Sequence, residues 1–283
     1  MRQPAALLAA ILLAFAANPV PARDVLLVGN KADDTVWRLS LDDGRRTGEL
    51  ASGTGPHEIA VSPDGRVAVV TDYGHAEPGH SLTLVDVAAG TVLRSIDLGE
   101  HRRPHGVRFL PDGNVVVTAE LGHALLTVDL DAGEVVQAID VGDGLGHMVA
   151  LSRDGTVAYV SKIVAGTVVR VDLAEGRVTR ERPAGKGAEG IGVAPDGTVW
   201  VTNRAEDTVT VHDPDTLEVL ATLASEGFPI RVVFTPDGRH ALVSNATAAT
   251  LSVFDVATRA PVATVALKPQ GEAFRDTMLG RDA

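Results

Sequence analysis

The stretch Pro195-Asp-Gly-Thr-Val-Trp-Val-Thr-Asn203 decides the fold class of this 283-residue chain. Its first three residues are typical of a tight turn, because proline presets φ and glycine accepts the left-handed backbone conformation. The valines and tryptophan that follow predict a short strand, which ends in a small polar pair. The stretch therefore predicts one turn and one strand of an antiparallel sheet.

The same turn and strand recur along the chain at a spacing of roughly 42 residues, which is typical of a propeller or an array. The turn glycines are Gly65, Gly113, Gly155, Gly197 and Gly238. The corresponding strands end at Asn30, Asp72, Ala119, Lys162, Asn203 and Asn245. An aspartate closes the next strand at Asp86, Asp129, Asp172, Asp213 and Asp255. Three landmarks in register indicate a tandem repeat.

Each repeat divides into four short valine-rich strands without helical periodicity, and this pattern predicts an all-β fold. We therefore predict a β-propeller of four-stranded blades with six visible repeats, in one domain spanning residues 23–266. The first strand of the repeat is visible only five times, because the first repeat begins at its second strand. Two alternatives remain open: a seven-bladed ring short of its last blade, or six blades closed loosely by an irregular tail at residues 267–283.

The strand Val199-Trp-Val-Thr-Asn203, the Pro-Asp-Gly turns and the closing aspartates resemble the YVTN-type propeller repeats of bacterial exported and surface proteins. The resemblance covers nearly the whole chain after its first 22 residues. It implies a propeller that usually has seven blades. It implies no single function, since that group includes binding scaffolds, cytochrome-associated propellers and sugar-lactonase-like enzymes.

Residues 1–22 predict a signal peptide, with Arg2 as the positive start, an apolar run at 5–17 and small residues before Arg23. We therefore expect a periplasmic or secreted protein without a membrane span in the mature chain. The formal net charge of −12 argues against a nucleic acid as partner, because a phosphate backbone requires clustered cations. The absence of cysteine rules out disulfides and thiolate metal ligands.

One register position carries polar residues that could form a site. Six residues before the turn, where the innermost strand of a blade starts, the chain has His57, His105, His147, Glu189 and Ile230. Equivalent positions in a propeller lie around the axial channel. One longer loop lies within the second repeat, at residues 72–80, and the connection after that repeat is long as well, with His101, Arg102 and Arg103. Functional residues are often found on such loops. We predict a ligand site that comprises His57, His80, Arg103, His105, His147, Glu189 and Arg231.

Three functions remain open for this site. The favoured one is non-catalytic binding of a small molecule or a periplasmic protein at the channel mouth, with no catalytic residue assigned. The second is a metal-dependent, lactonase-like hydrolase, with zinc, copper or iron held by His57, His105, His147 and Glu189. The third is a redox accessory protein that acts beside a haem or quinone partner. A purely structural role for the histidines, bonded to neighbouring carbonyls, is the alternative to all three.

Overall fold

The computed structural model describes residues 24–267, and every regular element within this range is a β-strand. Its twenty-three strands form six antiparallel sheets, in which strands consecutive along the chain are neighbours. Each sheet is one blade of a propeller, so the predicted all-β propeller is confirmed. The predicted signal peptide, and all of the predicted tail except Leu267, lie outside the described residues.

The first three blades contain eleven of the strands. Blade 1 comprises β1 (Val25–Asn30), β2 (Thr35–Ser40) and β3 (Arg46–Ala51). Blade 2 comprises β4 (Pro56–Val61), β5 (Val67–Gly74), β6 (Pro78–Asp86) and β7 (Thr91–Asp97). Blade 3 comprises β8 (Arg102–Phe109), β9 (Val115–Leu121), β10 (Ala124–Asp129) and β11 (Glu134–Asp140).

The last three blades each have four strands. Blade 4 comprises β12 (Gly146–Leu151), β13 (Val157–Lys162), β14 (Thr167–Asp172) and β15 (Arg177–Pro183). Blade 5 comprises β16 (Ala188–Val193), β17 (Val199–Asn203), β18 (Thr208–His212) and β19 (Val219–Ala224). Blade 6 comprises β20 (Pro229–Phe234), β21 (His240–Asn245), β22 (Thr250–Asp255) and β23 (Pro261–Ala266).

The core lies between the blades rather than within any one of them. Five clusters of buried apolar side chains join consecutive blades, from blades 1 and 2 to blades 5 and 6. Between blades 4 and 5, for example, the cluster contains Tyr159 and Val168 from blade 4 and Ile191 and Val201 from blade 5. Burying an apolar side chain of this size stabilises the fold by about 1.5–3 kcal/mol. The stacking of blades therefore supplies the buried apolar surface that a single sheet lacks.

Blade 6 and blade 1 are not joined in this way within residues 24–267. Among the described residues, no buried apolar cluster joins these two blades. Leu26 on β1 is 48% exposed and Val233 on β20 is 57% exposed. Blade 1 also has three strands in the described part of the chain, without the inner strand of the other blades. We call this region the seam. An ion pair 2.5 Å long between Arg231 and Glu58 links β20 to β4 across it.

The first strands of blades 2 to 6 pack side by side and so place their starts near one another. These inner strands are β4, β8, β12, β16 and β20. Within residues 24–267 the structure contains no helix with the length and apolar character that a membrane span requires.

Candidate functional site

A β-bulge interrupts every inner strand close to the register position singled out in the sequence. The strand register shifts between Pro56 and Ile59 in blade 2, and at the equivalent place in each of blades 3 to 6. A bulge leaves a residue unpaired and redirects its side chain. His57, His105, His147 and Glu189 lie within four of these bulges, which accounts for the departure of their side chains from the regular alternation of a strand.

Hydroxyl groups of the second strand bond the backbone of these bulges. Gly106 N–H donates to Thr118 Oγ1 at 2.8 Å, and Gly190 N–H donates to Thr202 Oγ1 at 2.8 Å. Thr118 Oγ1 in turn donates to the carbonyl of His147 in the next blade at 2.6 Å. Thr118 and Thr202 therefore hold the bulges of their own blades, and Thr118 also ties β8's blade to the inner strand of the next one.

Three histidines from successive blades lie against one another. The ring centroids of His57 and His105 are 4.3 Å apart, and those of His105 and His147 are 3.9 Å apart. The ring of Tyr73 lies edge-on to two of them, with its centroid 5.1 Å from that of His57 and 5.6 Å from that of His105. We call His57, His105 and His147 the histidine cluster.

Glu120 orients His147 within this cluster. Its Oε1 lies 2.6 Å from His147 Nδ1, and its Oε2 accepts a hydrogen bond of 2.6 Å from the Tyr73 hydroxyl. With Nδ1–H donating to Glu120, His147 Nε2 points elsewhere, 3.5 Å from Glu189 Oε1 but without hydrogen-bond geometry. The Tyr73–Glu120–His147 chain therefore fixes the orientation of one imidazole.

Two ring nitrogens of the cluster are buried without a hydrogen-bond partner. They are His105 Nδ1 and His147 Nε2, in residues that are 1% and 8% exposed. Six buried side-chain nitrogen and oxygen atoms in the described residues lack a partner, and two of the six belong to this cluster. A buried polar atom without a partner is costly, so such atoms often mark the place of a water, an ion or a ligand.

Arginines surround the carboxylates at the edge of the cluster. Glu189 lies 2.7 Å from Arg204 through Oε2 and 3.2 Å from Arg231 through Oε1. Arg231 also reaches Glu58 on the far side of the seam. Burial alone would raise the pKa of Glu189, but His147 and the two arginines lower it to about 2. Glu189 is therefore a charged carboxylate whose two oxygens already face cations.

The three imidazoles differ in charge. Burial lowers the pKa of His57 to about 4, and the positive charge of Lys31 adds to this effect. Complete burial lowers the pKa of His105 well below its ordinary value. Burial opposes the charged form of His147 too, but the hydrogen bond to Glu120 and the negative charges of Glu120 and Glu189 outweigh it and raise its pKa. Two neutral rings therefore adjoin a third whose charged form is stabilised relative to that of a free imidazole.

The structure brings six of the seven predicted site residues to the channel mouth. The histidine cluster, Glu189 and Arg231 are in contact, and Arg103 lies at the rim with its guanidinium carbon 4.6 Å from the centroid of the Tyr73 ring. His80 does not join them. It lies on β6, the third strand from the channel, is exposed, and bonds Asp97 on β7 at 2.9 Å.

Five residues of the site were missing from the sequence prediction. One is Glu58, directly after His57, and the other four share a register position. Lys31, Tyr73, Glu120 and Arg204 all occupy one register position, directly after the small polar pair that ends the second strand. In the other two blades this position holds Ile163 and Ala246. A search at this second register position, in addition to the first, would have found these four residues.

The residues present could hold a metal ion, but not with the predicted set. Two groups offer ligand atoms that all lie within 4.8 Å of one another, namely His57 with Glu58 and His105, and His105 with Glu120 and His147. Glu189 belongs to neither group, and its oxygens face Arg204 and Arg231. The geometry therefore favours imidazole ligands with Glu58 or Glu120 as the nearby carboxylate.

Comparisons with known proteins agree with the fold. The chain is similar to a solved structure titled Kuenenia stuttgartiensis Hydrazine Synthase, with a TM-score of 0.70 and 19% sequence identity over 91% of this chain and 90% of that one. At this identity the likeness concerns the fold alone. No curated protein matches the sequence. The family model described as Lactonase, 7-bladed beta-propeller matches residues 96–266. Since this match covers more than half of the sequence, the chain belongs to that lactonase family of β-propellers.

Proposed function

We propose that the protein is a non-catalytic propeller that binds a small ligand at the channel mouth through the histidine cluster. The observation that carries this proposal is the pair of buried ring nitrogens, His105 Nδ1 and His147 Nε2, that have no partner. Leaving such an atom unpaired costs about 1–3 kcal/mol, a cost that a ligand would offset by completing the missing interaction. The depth of the two nitrogens favours a small ligand over a protein surface.

A divalent transition-metal ion is the ligand that this chemistry supports best. Neutral imidazoles suit zinc, copper and iron, and His57 and His105 are neutral at physiological pH. A metal-bound histidine usually gives its other ring nitrogen to a carboxylate, and Glu120 has this relation to His147. The ion and protons compete for the ring nitrogens of the cluster, so the affinity for the ion should weaken as the solution becomes more acidic.

Metal titration of the purified protein tests this proposal. Protein stripped with a chelator and then dialysed free of it is titrated with Zn²⁺, Cu²⁺ and Co²⁺ by calorimetry. We expect the wild type to bind one of these ions and His105→Ala to lose the binding. The His80→Ala variant is the matched control, because His80 is an exposed histidine of blade 2 that lies outside the cluster. Equal binding by wild type and His105→Ala would contradict the proposal.

Lactone hydrolysis is the second candidate, and family membership is the observation that favours it. The Glu120–His147 pair has the geometry of an oriented acid–base group, since the carboxylate fixes one ring nitrogen and leaves the other free. Hydrolysis of glucono-δ-lactone, followed with a pH indicator, tests this function. A rate above the spontaneous one that falls in both His147→Asn and Glu120→Gln would favour an enzyme over a binding protein.

We further propose that the protein is exported and of the YVTN type. The support comes from the apolar run at residues 5–17 and from the repeat landmarks. Cell fractionation followed by intact-mass measurement tests the export. A periplasmic species that begins at Arg23 is expected, and a full-length cytoplasmic species would contradict it.

A further inference from the structure

Two cations of the channel rim lie against one tyrosine ring. Lys31 Nζ is 4.2 Å from the centroid of the Tyr73 ring, and the guanidinium carbon of Arg103 is 4.6 Å from the same centroid. Lys31 follows β1, whereas Tyr73 belongs to β5 and Arg103 to β8, so three successive blades contribute to this arrangement. A ring face attracts a cation by about 0.5–2 kcal/mol, which partly offsets the repulsion between two cations brought close together.

Neither cation has a carboxylate partner. Among the described residues, no Asp or Glu lies within ion-pair distance of Lys31 or Arg103, although the chain has 37 acidic and only 25 basic side chains. The negative charge of Glu120 raises the pKa of Lys31, but the oxygens of Glu120 are already bonded to Tyr73 and His147. The other two arginines of the site, Arg204 and Arg231, are both paired with glutamates. The rim therefore retains positive charge that the protein does not neutralise.

Desolvation and electrostatic repulsion both act on Lys31. Although Lys31 is exposed, partial desolvation by the groups around it lowers its pKa, and the positive charge of Arg103 lowers it further. An anion placed beside the two side chains would relieve this repulsion and would stabilise both cations.

The two long loops that the sequence singled out hold Arg103 in place. The insertion in blade 2 brings the carbonyl of His75 to Arg103, whose Nη2 donates to it at 3.0 Å. Arg103 itself has a φ of 55°, in the left-handed region that non-glycine residues adopt rarely. His75 is fixed in turn by Asp34 in blade 1, 2.9 Å from its Nε2. The loops thus constrain one guanidinium at the rim rather than leaving it free in solvent.

From this arrangement we infer that Lys31 and Arg103 form an anion subsite at the rim, which receives the carboxylate or phosphate group of a small ligand that lies beside the metal site proposed for the histidine cluster. The inference rests on the proposed function and adds a second ligand to it, a small organic acid or a phosphorylated compound. Tyr73 links the rim to the histidine cluster, because its ring contacts both cations and the rings of His57 and His105. Charge-assisted hydrogen bonds to oxygen anions are about twice as strong as neutral ones, so the two cations would contribute much of the affinity.

Calorimetric titration of metal-stripped, chelator-free protein with inorganic phosphate and with gluconate tests the subsite. We expect the wild type to bind at least one of the two anions, and the comparison between them distinguishes phosphate from carboxylate. Lys31→Gln and Arg103→Gln should each weaken the binding by about tenfold. Arg102→Gln is the matched control, since Arg102 lies beside Arg103 and bonds the carbonyls of Gly99 and His101.

The outcomes separate the subsite from the metal proposal. Failure of the wild type to bind either anion, or an equal loss in Arg102→Gln, would overturn the subsite. Unchanged anion binding in both Lys31→Gln and Arg103→Gln would overturn it as well. Zn²⁺ titration of the same samples reports on the metal separately, because the two rim variants should still bind it. Thermal unfolding shows that each variant is folded, and Lys31→Arg, which keeps the charge, should retain anion binding.

Discussion

Two histidines of this propeller are equally buried but differ in their hydrogen bonds. His212, on β18 inside blade 5, has Nδ1 2.9 Å from the carbonyl of Leu217 and Nε2 2.9 Å from Thr210 Oγ1. His105, in the bulge of β8, leaves Nδ1 without a partner. The exposed fraction is 0% for His212 and 1% for His105. Burial therefore does not separate a structural histidine from one that can take a ligand, whereas the completeness of its hydrogen bonds does.

The largest effect on stability is expected from removing the fully bonded ring. His212→Ala should lower the free energy of unfolding by about 3 kcal/mol, because it leaves a cavity and an unpaired buried carbonyl at Leu217. Urea unfolding measures this change. A loss below about 1 kcal/mol would show that the two hydrogen bonds contribute little to the blade.

Asp72 tests whether complete hydrogen bonding suffices when the buried group carries a charge. Its carboxylate accepts bonds from Gly53 N–H and from the hydroxyls of Ser81 and Thr83, yet burial raises its pKa to about 6. The folded protein therefore holds the proton more tightly than the unfolded chain, and stability should fall as the pH rises from about 4 to about 6. The equivalent residues of blades 5 and 6 are asparagines.

Asp72→Asn should therefore be more stable than the wild type above pH 6 by roughly 2 kcal/mol, and the difference should vanish below pH 4. Urea unfolding across this pH range measures both limits. A pH-independent difference would mean that the Asp72 carboxyl has the same pKa in the folded and unfolded states.

His105→Phe, unlike His212→Ala, should remove ligand binding and leave the stability almost unchanged. A phenyl ring keeps contacts with the rings of His57 and His147 but removes the unpaired nitrogen, so stability should change by less than about 1 kcal/mol. Metal binding should nevertheless be lost. Urea unfolding and Zn²⁺ titration of the same sample give the two quantities. A destabilisation as large as that of His212→Ala would show that His105 has a structural role like that of His212.

The smallest expected effect is a difference in hydrogen exchange at the seam. In residues 25–30 the edge of β1 lacks an inner neighbour in the described chain, whereas Val199–Asn203 lies between two partner strands. Hydrogen exchange should find the amides of β1 to be the fastest among the second strands of the blades. Protection of β1 equal to that of β17 would show that another segment covers its edge.

The fold could be predicted from the sequence because the turns and strands repeat with their own local chemistry. The convergence of His57, His105 and His147 could be predicted as well, since equivalent residues of neighbouring blades meet at the channel. Pairing between blades could not be predicted in this way. Arg204 and Arg231 come from different blades to bond Glu189. These ion pairs depend on the directions that the bulges give to the side chains. His80 was assigned to the site on loop length, but loop length does not give the direction of a side chain.

Crystals grown with Zn²⁺ and measured at the zinc absorption edge test the central claim most directly. The claim is that the unpaired nitrogens of the histidine cluster receive a ligand. It predicts an anomalous peak at about 2.0–2.1 Å from ring nitrogens of His105 and His147, and no peak at His212. An ordered water that bonds both nitrogens, with no anomalous peak in the channel, would contradict the claim and leave the cluster a hydrated structural feature.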